Sequence, residues 1–176
     1  MTPQADFRQA VLALFEEHGA ALYRFALGVL RRREDAEDVV QDTFVKLLDH
    51  VRGGGDATNL RAWLFTVAAN GCRDRMRRRW RWIPWTPEHD LGVGPPTLHD
   101  EDGRGAAARN ALVRLAPRDR LLVALRAQGF SYREIATAAR VRPVSVGRLL
   151  ARALDRWERA RLENATRDCP GAVRQA

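Results

Sequence analysis

Apolar residues recur along this chain at the spacing of one helix face, segment after segment, and this commits it to an all-α fold. Ala36, Val39, Val40, Phe44, Leu47, Leu48 and Val51 make a stripe over four turns, and Val146, Leu149, Leu150, Ala153, Leu154 and Trp157 make another. Leu22, Phe25, Ala26, Val29 and Leu30 form a third, with a weaker run upstream through Phe7, Val11, Leu14 and Phe15. Leu60, Trp63, Leu64, Val67 and Ala68 form a fourth. Each stripe needs a partner surface, so the helices must pack on one another.

One segment breaks the pattern. From Ile83 to Gly105 the chain has no helical periodicity and carries Pro84, Pro87, Pro95 and Pro96 among several glycines. Such composition reads as a flexible linker. The expected organisation is two small helical domains, residues 1–83 and 108–162, joined by an acidic linker over 84–107 and followed by a frayed tail over 163–176.

Charge follows the same division. Thirty Lys+Arg against 22 Asp+Glu leave a formal charge of +8, a balance that favours polyanions. Residues 1–60 carry net −3, 61–83 net +6, 84–107 net −4 and 108–176 net +9. Two basic surfaces separated by an acidic spacer suit a polyanion touched at two places. Only Lys46 is a lysine, a bias shared by phosphate-binding surfaces and by GC-rich genomes alike.

Several classes are excluded. The apolar run Leu121 to Leu125 is too short to cross a bilayer, and acidic Asp6 does not suit a signal peptide, so a cytoplasmic protein without membrane insertion is expected. His18, His50, His89 and His99 are scattered, and Cys72 and Cys169 lack ligand spacing. No catalytic residue, metal or cofactor is expected, and Cys72 reads as a buried helix position.

Local signals place candidate binding residues. The second helix shows Asp35, Asp38, Gln41, Asp42 and Asp49 opposite its apolar stripe; the helix dipole accounts for acids in the first turn only. Such a face is either solvated or a docking surface for a basic partner. Arg52-Gly-Gly-Gly-Asp-Ala-Thr-Asn59 reads as a loop. The third helix ends in Arg73, Arg75, Arg77, Arg78, Arg79 and Arg81, interleaved with Trp80 and Trp82. Arginines meet phosphates, while those tryptophans either stack on unpaired bases or pack internally. Trp63 is in register with the core.

Downstream, Leu121, Leu122 and Leu125 precede Gly129, a helix stop, and Ser131-Tyr-Arg-Glu134 is a capping box with Ile135, Ala136 and Ala139 inward. A turn over 140–142 leads to Pro143, a favourable first helical residue. Helix, short turn, helix on a basic background is a helix-turn-helix, whose second helix enters the major groove.

The run LYRFALGVLRRREDAEDVVQDTFVKLLDH with NLRAWLFTVAANGCRDRMRRR resembles region 2 of the extracytoplasmic-function (ECF) sigma factors, small bacterial subunits that direct RNA polymerase to promoters. LAPRDRLLVALRAQGFSYREIATAARVRPVSVGRLLARAL resembles region 4 of the same family. The resemblance implies that Asp35, Asp38, Gln41 and Asp42 dock on the clamp helices of the polymerase largest subunit, with the flap as a further contact. It implies that Arg52, Asn59, Arg61, Asn70, Arg73, Arg75, Arg77, Arg78 and Arg79 read and open the −10 promoter element. For the −35 element it implies Arg133, Arg142, Ser145, Arg148 and Arg152. An anti-sigma factor is a further implied partner.

Three features depart from the family pattern. Arg140 stands where a turn glycine is usual, Arg142 replaces the Ser or Thr cap, and Gly147-Arg148-Leu149 replaces a Lys-Ser-Arg-like run. The lost cap and the helical glycine each cost about 1 kcal/mol. Two other readings stand beside an alternative sigma factor: a stand-alone helix-turn-helix regulator, and a degenerate sigma-like protein acting by sequestration. The acidic second helix and the Arg/Trp run are unneeded for duplex operator binding alone.

Overall fold

The computed structural model describes residues 3–56, 58–82 and 110–168, with side chains over 9–56, 58–78 and 110–163. All regular structure among the described residues is helical. The elements are α1 (Pro3–Leu30), α2 (Arg33–Arg52), α3 (Leu60–Trp82), α4 (Pro117–Ala127), α5 (Tyr132–Ala139) and α6 (Pro143–Asp168), with a helical turn over 110–113 before α4. The expected linker, 84–107, lies outside the described residues.

Helices α1, α2 and α3 form the first module. Arg31 adopts φ 64°, and its N–H closes on the Leu27 carbonyl at 2.8 Å, which stops α1 and turns the chain into α2. Leu22, Phe25, Ala26 and Val29 of α1 meet Ala36, Val39, Phe44 and Leu47 of α2, all buried. On α3 the buried line runs through Leu64, Phe65, Ala68, Ala69 and Cys72. Trp63 and Val67, expected inside, are half-buried. The stripe is rotated because α3 packs on two surfaces at once.

In the second module, Gly129 at φ 83° ends α4 and drops Phe130 into the core. Ser131 and Glu134 close the capping box of α5: the Ser131 N–H donates to Glu134 Oε2 at 2.8 Å and its hydroxyl at 2.6 Å. Arg140, at φ 52°, supplies the left-handed turn that glycine would otherwise provide. On α6, Val146, Leu150 and Ala153 are buried and Trp157 is half-buried, but Leu154 faces solvent at 39% exposure. α6 also remains helical through Asp168, into the segment whose composition reads as a frayed tail from 163. An ion pair from Arg114 to Glu163 at 2.6 Å and another from Arg161 to Glu158 hold that stretch.

The two modules pack against each other. A continuous buried cluster joins Phe25 and Phe65 to Leu122, Leu125, Phe130 and Ile135. Phe65 lies edge-on to Phe25 at 5.4 Å between ring centroids and 5.2 Å from Phe130, so it belongs to both modules. No helix among the described residues is long and apolar enough to cross a membrane.

Candidate nucleic-acid interface

Helix α2 turns its apolar stripe to α1 and α3 and leaves its acidic side outward. Asp38 and Asp42 are 64% and 58% exposed, and Gln41 beside them is exposed too. Asp35 is half-buried, 3.8 Å from Arg32. Arg75, expected among the DNA contacts, reaches across from α3 to Asp42 at 3.0 Å and Asp38 at 3.5 Å. Its guanidinium therefore belongs to the acidic face, where it holds two carboxylates side by side.

The loop between α2 and α3 is specified rather than loose. Gly54 adopts φ 72°, a left-handed conformation that glycine reaches without strain. Gly55 passes so close to the His50 imidazole that a Cβ would lie 2.2 Å from its Cε1. His50 Nε2 donates to the Asp56 carbonyl at 3.0 Å, and its ring stacks on Trp63 at 4.5 Å. Thr58 donates its N–H and hydroxyl to the Asp56 carboxylate, which holds that carboxyl below its usual range. Asn59 Oδ1 accepts the Ala62 N–H at 3.0 Å and so caps α3. The sequence alone does not single out this histidine; its signal is the glycine run that begins three residues downstream.

Along α3 the predicted residues separate. Arg77 and Arg78 are exposed, with Arg77 3.3 Å from Asp74; Arg52 ends α2 and is exposed. The side chain of Arg79 and the structure around Trp80, Arg81 and Trp82 fall outside the described side chains. Asn70 and Arg73 hydrogen bond to one another, and Arg73 also donates to the Ala138 carbonyl of α5 at 2.9 Å. Burial, and next the neighbouring Arg140 guanidinium, lower the pKa of Arg73. Arg61 donates to the Gln128 carbonyl and lies 4.8 Å over the Phe130 ring. Thus Arg61 and Arg73 sit in the seam between modules, a placement no local pattern indicated.

In the helix-turn-helix, Arg133, Arg142, Arg148 and Arg152 are exposed and Ser145 is half-buried. Val144, absent from the predicted set, is 88% exposed in the first turn of α6. It lies one residue past Pro143 and off the apolar stripe, which is the signal that was available. Val144, Arg148 and Arg152 recur every four residues and share one face. An apolar methyl pair beside arginines is suited to a thymine methyl and guanine edges in a major groove.

Cys72 is fully buried, and burial pushes its thiol up to about 12, so it is held protonated and unreactive. Among the described residues no group of three or more His, Cys, Asp or Glu could hold a metal ion.

A helical bundle with an outward acidic face, joined to a helix-turn-helix with an outward basic face, defines a two-module helical DNA-binding class. Residues 14–81 match the family model described as Sigma-70 region 2. The ECF RNA polymerase sigma factor SigL of Mycobacterium tuberculosis is 47% identical over 66 residues, 37% of this chain and 37% of that protein's length. SigM of the same species, also an ECF RNA polymerase sigma factor, is 35% identical over 154 residues, 84% of this chain and 74% of its own. The sigma factor RpoE, solved in complex with the anti-sigma factor NepR from Bartonella quintana, superposes with a TM-score of 0.65 at 27% identity, over 88% of this chain and 96% of that one. This chain belongs to the ECF RNA polymerase sigma factors.

Proposed function

We propose that this chain is an alternative sigma subunit that binds core RNA polymerase and directs it to promoters. The observation that carries this reading is the α2 face, where Asp38 and Asp42 are held outward and side by side while Ala36, Val39, Val40, Phe44 and Leu47 of the stripe are buried. Desolvating paired carboxylates is worthwhile only against a basic partner, and the clamp helices of the largest polymerase subunit are the proposed one, with the flap meeting the second module. Region 2 spans 1–83, and region 4 spans 108–162.

Promoter contact is divided between the modules. The Arg52–Asn59 loop, with Arg61, Asn70, Arg73, Arg77, Arg78 and Arg79, reads and opens the −10 element. Extruding a base costs a few kcal/mol, which contacts in a shaped pocket must offset; the His50–Trp63 stack gives the loop that shape. Arg75 is reassigned to the polymerase-binding face. Arg142, Val144, Ser145, Arg148 and Arg152 face the −35 duplex, with Arg133 on phosphate. The work done is recognition and strand opening, with no covalent step. By its likeness to a sigma factor solved with an anti-sigma factor, the chain is proposed to have such a partner of its own.

The test is Asp38→Arg. It reverses charge at an exposed position, so the helical circular dichroism should be unchanged, while affinity for core polymerase should fall at least tenfold. Unchanged affinity would remove the docking face from the account.

A further inference from the structure

We propose that His50 is a positioning residue for promoter opening: it holds the loop between α2 and α3 in the shape that discriminates among −10 bases. The proposal rests on the reading of that loop as part of the −10 contact. His50 grips the loop at two consecutive residues. Its backbone carbonyl accepts the Gly55 N–H at 2.8 Å, and its ring Nε2 donates to the Asp56 carbonyl at 3.0 Å. The face of the ring lies on Trp63 of α3, 4.5 Å between centroids and 25° from parallel. One side chain thus ties together the end of α2, the loop and the first turn of α3.

Further bonds carry that position onward. The Asp56 carboxylate accepts the Thr58 N–H at 2.8 Å and the Thr58 hydroxyl at 3.0 Å, and Asn59 caps α3 through the Ala62 N–H. Asp56, Thr58 and Asn59 are exposed, while His50 and Trp63 behind them are half-buried. The polar groups that a base can meet are therefore set by a carbonyl that His50 fixes from within.

Gly55 is the complement of the ring. A Cβ at this position would fall against Cε1, Nδ1 and Nε2 of the imidazole. Those atoms are the far end of a rotatable side chain, so an added methyl swings the ring off Trp63 and Asp56 and leaves the helices in place. His50 and Gly55 act as one unit. Taking a base out of the stack is costly, and contacts in the loop must offset it. A loop that orders only on contact loses part of that gain to its own ordering. The loss falls on the matched base, which makes the contacts, and spares unmatched ones, which make few.

The experiment uses the full chain with core RNA polymerase on a promoter mapped from its own start sites, with each −10 base pair replaced in turn. Opening is read from a fluorescent base analogue in the melted segment, with affinity for core polymerase measured alongside. His50→Ala should bind core polymerase as wild type does and open the parent promoter about tenfold less well, the combined effect of a hydrogen bond and a ring contact. It should also lose most of the preference for the parent base pairs over their replacements. His50→Gln, whose amide N–H reaches the position of Nε2, should restore most of that preference. Gly55→Ala should match His50→Ala, and the double variant should be no worse than either alone. An equal loss of opening on every template, with the preference intact, would overturn the proposal, because a merely destabilised helix gives that result. Additive effects of the two substitutions would overturn it as well. If His50→Ala fails to fold, the preference measured in Gly55→Ala decides the matter. The −10 reading is tested separately by the wild-type protein: indifference to every −10 replacement would remove that reading before any variant is made.

Discussion

At the scale of single residues, the chain meets unusual backbone demands with unusual choices. Arg31 and Arg140 both sit at positive φ, where a non-glycine residue costs about 1 kcal/mol or more, and each ends a helix that must turn sharply. Gly55 is needed because the His50 ring occupies the space of a side chain. The Ser131–Glu134 capping box is the residue-scale feature with the plainest measurable consequence. Hydrogen bonds from Ser131 hold the Glu134 carboxyl below its ordinary value of 4.5. A depressed acid contributes stability that is present above its ordinary value and lost as pH falls through the lowered one. Ser131→Ala should lower stability by about 1 kcal/mol at neutral pH, as cap removal does. The gap between variant and wild type should narrow in thermal melts below pH 4.5. A gap independent of pH would show that the Glu134 charge takes no part in the box.

At the scale of helices, local rules carried far. The α2 stripe, the Gly129 stop, the capping box, Pro143 as first residue and the helix-turn-helix all follow from spacing and cap chemistry, and the structure has each of them. Helix α6 adds a prediction. Gly147 lies inside it, and a Cβ there would meet the Tyr132 ring at 3.5 Å, an ordinary contact. Gly147→Ala should therefore stabilise the protein by about 1 kcal/mol. A melting temperature equal to or below that of wild type would mean that the Tyr132 ring cannot accommodate the methyl. What spacing misjudged were faces that serve two partners. Trp63 and Val67 continue a stripe and are expected inside, but α3 turns Phe65 toward Phe130 in the turn between α4 and α5 and carries them half out. Leu154 continues the α6 stripe too, yet it is 39% exposed. A stripe reports that a helix is amphipathic and leaves its rotation to the neighbours.

At the scale of the whole molecule, the seam was the part least legible in the sequence. It is built from Phe65 and Phe130, single apolar residues outside any clear stripe, and from arginines bonded to backbone carbonyls, which no side-chain pattern encodes. Segment charges predicted two basic surfaces, and the arginine-rich stretch of α3 and the α6 face correspond to them in position. Charge alone could not say that Arg75 joins the acidic face while Arg61 and Arg73 turn into the seam. The acidic side of α2, in contrast, could be located from sequence because its residues are defined by what they oppose. Its exposure is the feature on which the functional reading depends most.

The most direct measurement adds purified protein to bacterial core RNA polymerase and maps transcription start sites on genomic DNA, with Asp38→Arg alongside. The account predicts a stable complex and initiation at discrete positions sharing two upstream elements, with both the complex and the initiation lost in Asp38→Arg. Failure of the folded wild-type protein to bind core polymerase, or initiation indistinguishable from that of core polymerase alone, would contradict it.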